Sequence, residues 1–192
     1  MSIYFSLGLD HILDPNGYDH ILFVVALCAV YRLRQWRDVL VLVTAFTIGH
    51  SFTLALASLR LLDLPSALVE FLIPLTILLT CIYNIFRGTG PRDSRLMRIN
   101  YLLALGFGFI HGMGFSGYFR ELLGREAAIA GPLFFFNLGI EAGQICIVGT
   151  ALLLSWLLLD IARLPHKYWN IAVSAGVGLV ALRLLFERMS GF

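Results

Sequence analysis

The chain has 192 residues, of which 59% are hydrophobic and 14% are charged, and its formal net charge is +2. Because a soluble domain of this size carries about 25% charged residues, the composition excludes an ordinary soluble protein. Several long apolar runs instead predict an all-α fold, namely a polytopic bundle of membrane helices. Since the spans must pack on one another, we predict a single transmembrane domain over residues 1–192.

We expect about six transmembrane helices, preceded by a short N-terminal helix. Residues 2–13 are apolar but too short to cross a bilayer, which favours a helix that lies at the interface. The segment 14–17 reads DPNG and predicts a turn, because proline presets φ while asparagine and glycine tolerate turn geometry. The predicted spans cover residues 18–34, 38–59, 66–87, 98–118, 132–158 and 167–187.

Basic residues orient these spans, because lysine and arginine are more frequent in cytoplasmic loops. Nine basic residues lie after the first, third and fifth spans, and four lie on the opposite side. We therefore expect both termini outside the cytoplasm. The nine are Arg32, Arg34, Arg37, Arg87, Arg92, Arg95, Arg98, Arg163 and Lys167, and the four are Arg60, Arg120, Arg125 and Arg188.

The stretch from Asp10 to His20, DHILDPNGYDH, is the densest part of the chain in residue types that bind metals. Imidazoles combined with carboxylates suit divalent transition ions such as nickel, cobalt and zinc, whereas magnesium and calcium sites are built from oxygen ligands. For Asp14 the alternative is a plain turn residue. The sequence predicts that an ion is captured at the outer mouth of the bundle by His11, Asp14, Asp19 and His20.

Three ionisable residues lie deep inside predicted spans, where each costs at least about 2.5 kcal/mol and usually marks a functional site. His50 lies 12 residues into the second span and His111 lies 13 residues into the fourth. Both are therefore about 18–20 Å from the cytoplasmic surface. Glu141 lies about 14 Å below the outer surface. We predict that His50, His111 and Glu141 form an intramembrane metal site near the outer-mouth ligands.

Five further polar residues are candidates for holding the ligands in place or lining the path of the ion. Thr47 and Ser51 share a helical stripe with His50, and Asn137 and Gln144 share a face with Glu141. For these four the alternative is a contact or hydrogen-bond network between helices. The fifth residue is Glu70, near the outer end of the third span, and its alternative is a carboxylate that extends to the interface.

Four sequence motifs occur in order along the chain. Together they resemble the hydrogenase/urease accessory membrane proteins of the HupE/UreJ family. The resemblance implies a permease for nickel or cobalt and a setting among nickel enzymes. The motifs are GYDHILF at 17–23, FTIGHSFTL at 46–54, FGFIHGMGF at 107–115 and FNLGIEAGQ at 136–144.

Two functions remain open at this point. The first is a membrane permease for a divalent transition metal, driven by a gradient or by another chain, because no Walker A motif is present. The second is a zinc-dependent integral membrane enzyme, a hydrolase, in which Glu141 or Asp19 would serve as general base. A permease needs polar groups that continue to the cytoplasmic side, and the candidates there are Thr76, Thr80, Asn84 and Asn100.

The expected partners follow from these readings. We expect the chain in the bacterial inner membrane, with the lipid bilayer and a nickel, cobalt or zinc ion as its partners. We expect no nucleic acid. A second copy of the chain and a protein of metalloenzyme maturation both remain open as protein partners.

Overall fold

The computed structural model describes residues 2–15, 17–62, 64–88, 94–123 and 129–189. Within these ranges the secondary structure is helical and no strand occurs, so the predicted all-α fold is confirmed. A short 3₁₀ turn, Leu33–Gln35, leads into α3, and a π-helical turn, Leu157–Ile161, follows α7. The helices are α1 (Ser2–Leu13), α2 (Asp19–Cys28), α3 (Trp36–Ser58), α4 (Ser66–Arg87), α5 (Ser94–Gly114), α6 (Ser116–Leu123), α7 (Ala130–Trp156) and α8 (His166–Met189).

Four helical segments of the described ranges are long and apolar enough to cross a membrane. They correspond to the second, third, fifth and sixth predicted spans, and four apolar helices of this length are typical of an integral membrane protein. Helix α5, which covers most of the predicted 98–118 span, is not among them. The four segments are Leu33–Ser58, Ser66–Arg87, Ala130–Ile161 and His166–Met189.

Helices α1 and α2 run one after the other along α7. A methyl group added at Gly8 of α1 would collide with the carbonyl oxygen of Phe136 near the start of α7. Farther along, Cys28 at the end of α2 and Leu154 near the end of α7 line the same groove. Later residues of α1 and α2 thus lie beside later residues of α7. The two helices α1 and α2 together therefore form one broken helix that runs parallel to α7.

This arrangement replaces two of the sequence predictions. Helix α1 lies in the bundle against α7, where an interfacial helix was expected, and the 18–34 span is not one helix because α2 ends at Cys28. With 12 and 10 residues, α1 and α2 are about 18 and 15 Å long, so only the pair approaches the thickness of a bilayer core.

The break between α1 and α2 has a local cause. Asp14 precedes Pro15, and the residue before a proline is disfavoured in the helical region. Helix α1 accordingly ends at Leu13, and α2 begins at Asp19. The predicted turn at 14–17 therefore falls in the break, although its Asn16 lies outside the described residues. The break places the metal-ligand residues of this stretch at facing helix ends.

Helices α3 and α5 are held together by a close contact of their backbones. A methyl group at Gly108 would collide with the carbonyl oxygen of Phe46 and lie 3.1 Å from the backbone nitrogen of His50. One turn later, a methyl group at Gly112 would collide with the carbonyl oxygen of His50. Small residues allow this approach between membrane helices, and here they bring His50 next to the turn that carries His111.

At the opposite end of the bundle, polar side chains tie α2, α4 and α8 together. The side-chain amide of Asn84 donates to the carbonyl oxygen of Ala26 at 2.7 Å. Asn170 donates in turn to the carbonyl oxygen of Asn84 at 2.8 Å, and Ser174 donates to the side-chain oxygen of Asn170 at 3.1 Å. Since all three side chains are buried, these bonds fix α2, the second part of the broken helix, in place.

We predict that Gly108→Ala lowers the melting temperature of the detergent-purified protein. The added methyl group would collide with backbone atoms, which cannot rotate away as a flexible side chain can. Overpacking of this kind lowers the free energy of unfolding by about 1–3 kcal/mol. Gly106→Ala is the matched control on the same helix, because a methyl group there has no neighbour within 4 Å and alanine favours helix by about 1 kcal/mol. Equal melting temperatures for the two variants would contradict the proposed contact.

Candidate metal centre

Four histidines from four helices meet where the broken helix is interrupted. His11 comes from the last turn of α1, His20 from the first turn of α2, His50 from the middle of α3 and His111 from the end of α5. The ring of His20 is central, since its centroid lies 4.7 Å from that of His11, 5.0 Å from that of His111 and 5.8 Å from that of His50. The histidines predicted at the outer mouth and those predicted inside the spans therefore form one cluster of ring contacts.

Three of the imidazoles are buried and that of His11 is half-buried, and most of their nitrogens have no hydrogen-bond partner in the described part of the chain. His50 and His111 are 0% and 1% exposed, and neither ring nitrogen of either residue is bonded. The Nε2 atoms of His11 and His20 are likewise buried and unpaired. A buried polar atom without a partner is rare and destabilising in a folded protein. Six such atoms close together indicate a ligand that supplies the missing bonds.

Asp19 orients the central ring. Its Oδ1 atom lies 3.0 Å from Nδ1 of His20 and also accepts a hydrogen bond from the backbone nitrogen of His20 at 2.8 Å. This bond assigns the proton of His20 to Nδ1 and leaves Nε2 as an acceptor. A carboxylate that holds the far nitrogen of a ligating histidine is a common support in metal sites.

Two groups of residues have ligand atoms close enough to surround an ion. The ligand atoms of His11, His20 and His50 all lie within 4.8 Å of one another, and the same is true of Asp19, His20 and His111. Ligands about 2.1 Å from a transition ion are at most about 4.2 Å apart, so small side-chain rotations would close either group. Imidazole with carboxylate is the donor set preferred by nickel, cobalt and zinc.

Aromatic rings wall the centre on two sides. Phe115 lies against His11 with 4.0 Å between ring centroids, and Phe46 lies 5.2 Å from His111. Phe23 stacks on Phe46 at 4.9 Å, toward the cytoplasmic half predicted from the sequence. These rings cover the inner side of the histidines.

A cavity of about 460 Å³ opens onto the centre from the other side, and His50 is absent from its described lining. Its wall includes Glu70, which forms a 2.6 Å ion pair with Arg188. Acidic residues outnumber basic ones in the described lining, so the cavity attracts cations. The charged and imidazole residues that line it are His11, Asp14, Asp19, His20, Glu70, His111, Glu187 and Arg188.

The remaining predicted residues lie away from the two ligand groups. Glu141 accepts a 2.6 Å hydrogen bond from the hydroxyl of Thr44 and belongs to neither group. Asp14 lines the cavity, and it too lies outside both groups. In the described ranges, the side-chain oxygen of Asn137 is buried without a hydrogen-bond partner. The structure therefore brings together five of the seven predicted ligands, which are His11, Asp19, His20, His50 and His111.

The polar stripe of α3 packs against α7. Thr47 donates to the side-chain oxygen of Gln144 at 2.7 Å, and Gln144 is fully buried. Ser51 donates to the carbonyl oxygen of Thr47 at 2.6 Å. The bond between Thr47 and Gln144 matches the alternative of a hydrogen bond between helices, whereas the bond of Ser51 stays within α3.

The aromatic wall is the part of the centre that the sequence prediction omitted. A signal for it exists, because Phe46 precedes His50 by four residues and Phe107 precedes His111 by four. Residues at this spacing share a helix face. The same face of each helix therefore carries an imidazole and, one turn before it, a phenyl ring.

Comparison with known proteins agrees with the motifs. No curated protein and no solved structure matches the chain. The family model described as HupE / UreJ protein matches residues 1–188, and this family is associated with nickel/cobalt transport or accessory function. Since the match covers nearly all of the sequence, the chain belongs to the HupE/UreJ family.

Proposed function

We propose that the protein is a membrane permease for a divalent transition metal ion, with nickel or cobalt as its substrate. One observation carries the proposal: within the described ranges, ring nitrogens of His11, His50 and His111 have no hydrogen-bond partner, and these rings lie beside Asp19 and His20 at the floor of an acidic cavity. These imidazoles and the carboxylate of Asp19 can coordinate an ion that has lost its water. The family association narrows the ion to nickel or cobalt.

The orientation proposed from the basic residues places both termini outside the cytoplasm, in a bacterial inner membrane. The cavity then faces outward, because Arg188 at its wall lies near the C-terminal end of α8. The opposite end carries Arg32, which pairs with Asp160 at 3.6 Å. An ion would enter from outside, gather in the acidic cavity and exchange its water for imidazole.

A route toward the cytoplasm is supported by a second cavity of about 260 Å³. It lies beyond Phe23, whose ring is also 5.7 Å from that of His111. Among the polar residues of its wall, Asn100 donates a 2.8 Å hydrogen bond to the hydroxyl of Tyr31. Its lining includes three of the inner-half residues singled out from the sequence, namely Thr80, Asn84 and Asn100. Phe23 would have to move for an ion to pass from one cavity to the other.

A zinc-dependent membrane hydrolase is the second candidate. The observation that favours it is the aromatic wall, because Phe23 and Phe46 close the inner side of the histidines and leave a pocket that is open on one side only. In this case Asp19 would serve as general base, since Glu141 lies against Thr44 rather than in a ligand group.

We predict that His20→Ala weakens nickel and cobalt binding by about 100-fold or more. His20 is common to both ligand groups, and even the residues that merely orient ligands are worth about 10–100-fold in affinity. Equilibrium dialysis with elemental analysis of the detergent-purified protein measures this. His166→Ala is the control, because His166 lies 3.3 Å from the carbonyl oxygen of Ala29 and outside both groups. Equal affinities in the two variants would refute the site.

Purified protein in liposomes is expected to move nickel or cobalt into the lumen, and His20→Ala is expected to abolish this uptake. An ion-sensitive dye trapped inside the vesicles reports the entry. His166→Ala should transport like the wild type. Tight zinc binding without uptake, together with hydrolysis of a test ester or peptide, would instead establish the enzyme.

We predict that Arg188→Gln raises the initial uptake rate about threefold at low ionic strength. Removing this cation frees the carboxylate of Glu70 at the cavity wall, which increases the attraction for a divalent cation. The gain should disappear in 1 M salt, where charges are screened within about 3 Å. Arg32→Gln is the matched control, since Arg32 pairs with Asp160 at 3.6 Å and neither residue lines the cavity. A salt-independent gain would contradict this explanation.

A further inference from the structure

We propose that the centre holds one ion in either of two adjacent positions that share His20 as a ligand. The outer position consists of Asp19, His20 and His111, and the inner position of His11, His20 and His50. This inference deepens the proposed function, on which it rests for the identity of the ion as a transported substrate.

The two positions follow from how the ligand atoms are grouped. Each set of three has its ligand atoms within 4.8 Å of one another, and His20 is the single residue common to both sets. The ring of His20 lies between the two, 5.0 Å from the ring of His111 and 5.8 Å from that of His50. An ion bound to a ring nitrogen of His20 can therefore complete its coordination with the other two residues of either set.

The two positions differ in their access to the cavity. Asp19, His20 and His111 all line its wall, so an entering ion reaches the outer position first. In the inner set, His11 and His20 also line the wall, but His50 is 0% exposed and is not part of the described lining. The inner position is therefore the less accessible of the two.

The two positions also differ in chemistry. The outer set offers one carboxylate, and its charge compensates part of the charge of an ion that leaves water. The inner set offers three neutral imidazoles and no carboxylate, which suits a softer ion and holds hard oxygen-seeking cations weakly. Transfer from one set to the other would thus add selectivity after capture.

A shared ligand explains how the bound ion can move between the outer and the inner position. Conduction requires binding that is strong enough for entry and weak enough for release. An ion that keeps His20 while it exchanges Asp19 and His111 for His11 and His50 is never without a protein ligand. Once the ion has left Asp19, this carboxylate can accept the hydrogen bond from Nδ1 of His20 that the structure shows at 3.0 Å.

The test uses cobalt as the probe and compares the wild type with His111→Gln and His50→Gln. Each single variant removes one position and leaves the other complete. We expect each to bind one cobalt ion per chain, about tenfold or more weaker than the wild type, and to lose uptake in liposomes. X-ray absorption at the cobalt edge should then show imidazoles without carboxylate in His111→Gln, and a carboxylate among the ligands in His50→Gln.

His11→Gln is a second inner-position variant, in case the fully buried His50 cannot be replaced without unfolding, and His166→Gln is the control outside the centre. If either single variant of the centre, while folded, binds no cobalt, all five residues form one position and the proposal is overturned. Two cobalt ions bound at once to the wild type would overturn it as well, because the positions would then be separate sites. Both of these results leave the permease intact. If the wild type bound neither cobalt nor nickel, the proposed function itself would be refuted.

Discussion

The structure depends on a cluster of four imidazoles inside an apolar helix bundle. Ring nitrogens of His11, His20, His50 and His111 are shielded from solvent, and no hydrogen-bond partner within the described ranges satisfies them. Leaving such groups unpaired opposes folding, which is why we propose that a ligand binds them. A cation from the acidic cavity would suit both the donor atoms and the surrounding charge.

Other features of the fold serve this placement. The break before α2 points the ends of two short helices at the same space, which a continuous helix could not do, because successive residues would then face different directions. The glycines of α5 let its backbone lie against α3, so that His50 and His111 approach the broken helix from the other side. Broken helices beside a cation site are also a recurring device of membrane transporters.

Composition and periodicity were sufficient to predict the helical class, four of the spans and most of the residues that the structure gathers around His20. The histidines were identifiable because an imidazole inside an apolar run has few structural explanations. The pairing of α1 with α7 was not predictable, since it depends on backbone contact at Gly8, and glycine has no side chain whose pattern could report it. Glu141 was predicted as a ligand from its depth alone, and depth does not reveal that its carboxylate turns toward Thr44.

The central claim is that these imidazoles bind a transition metal ion. The most direct measurement is anomalous diffraction at the nickel edge from crystals of the wild-type protein grown with nickel. We expect one anomalous peak per chain beside Nε2 of His20, about 2.0–2.1 Å from its nitrogen ligands. A nickel-free centre whose ring nitrogens are all hydrogen-bonded to ordered water would show a buried polar network and contradict the claim.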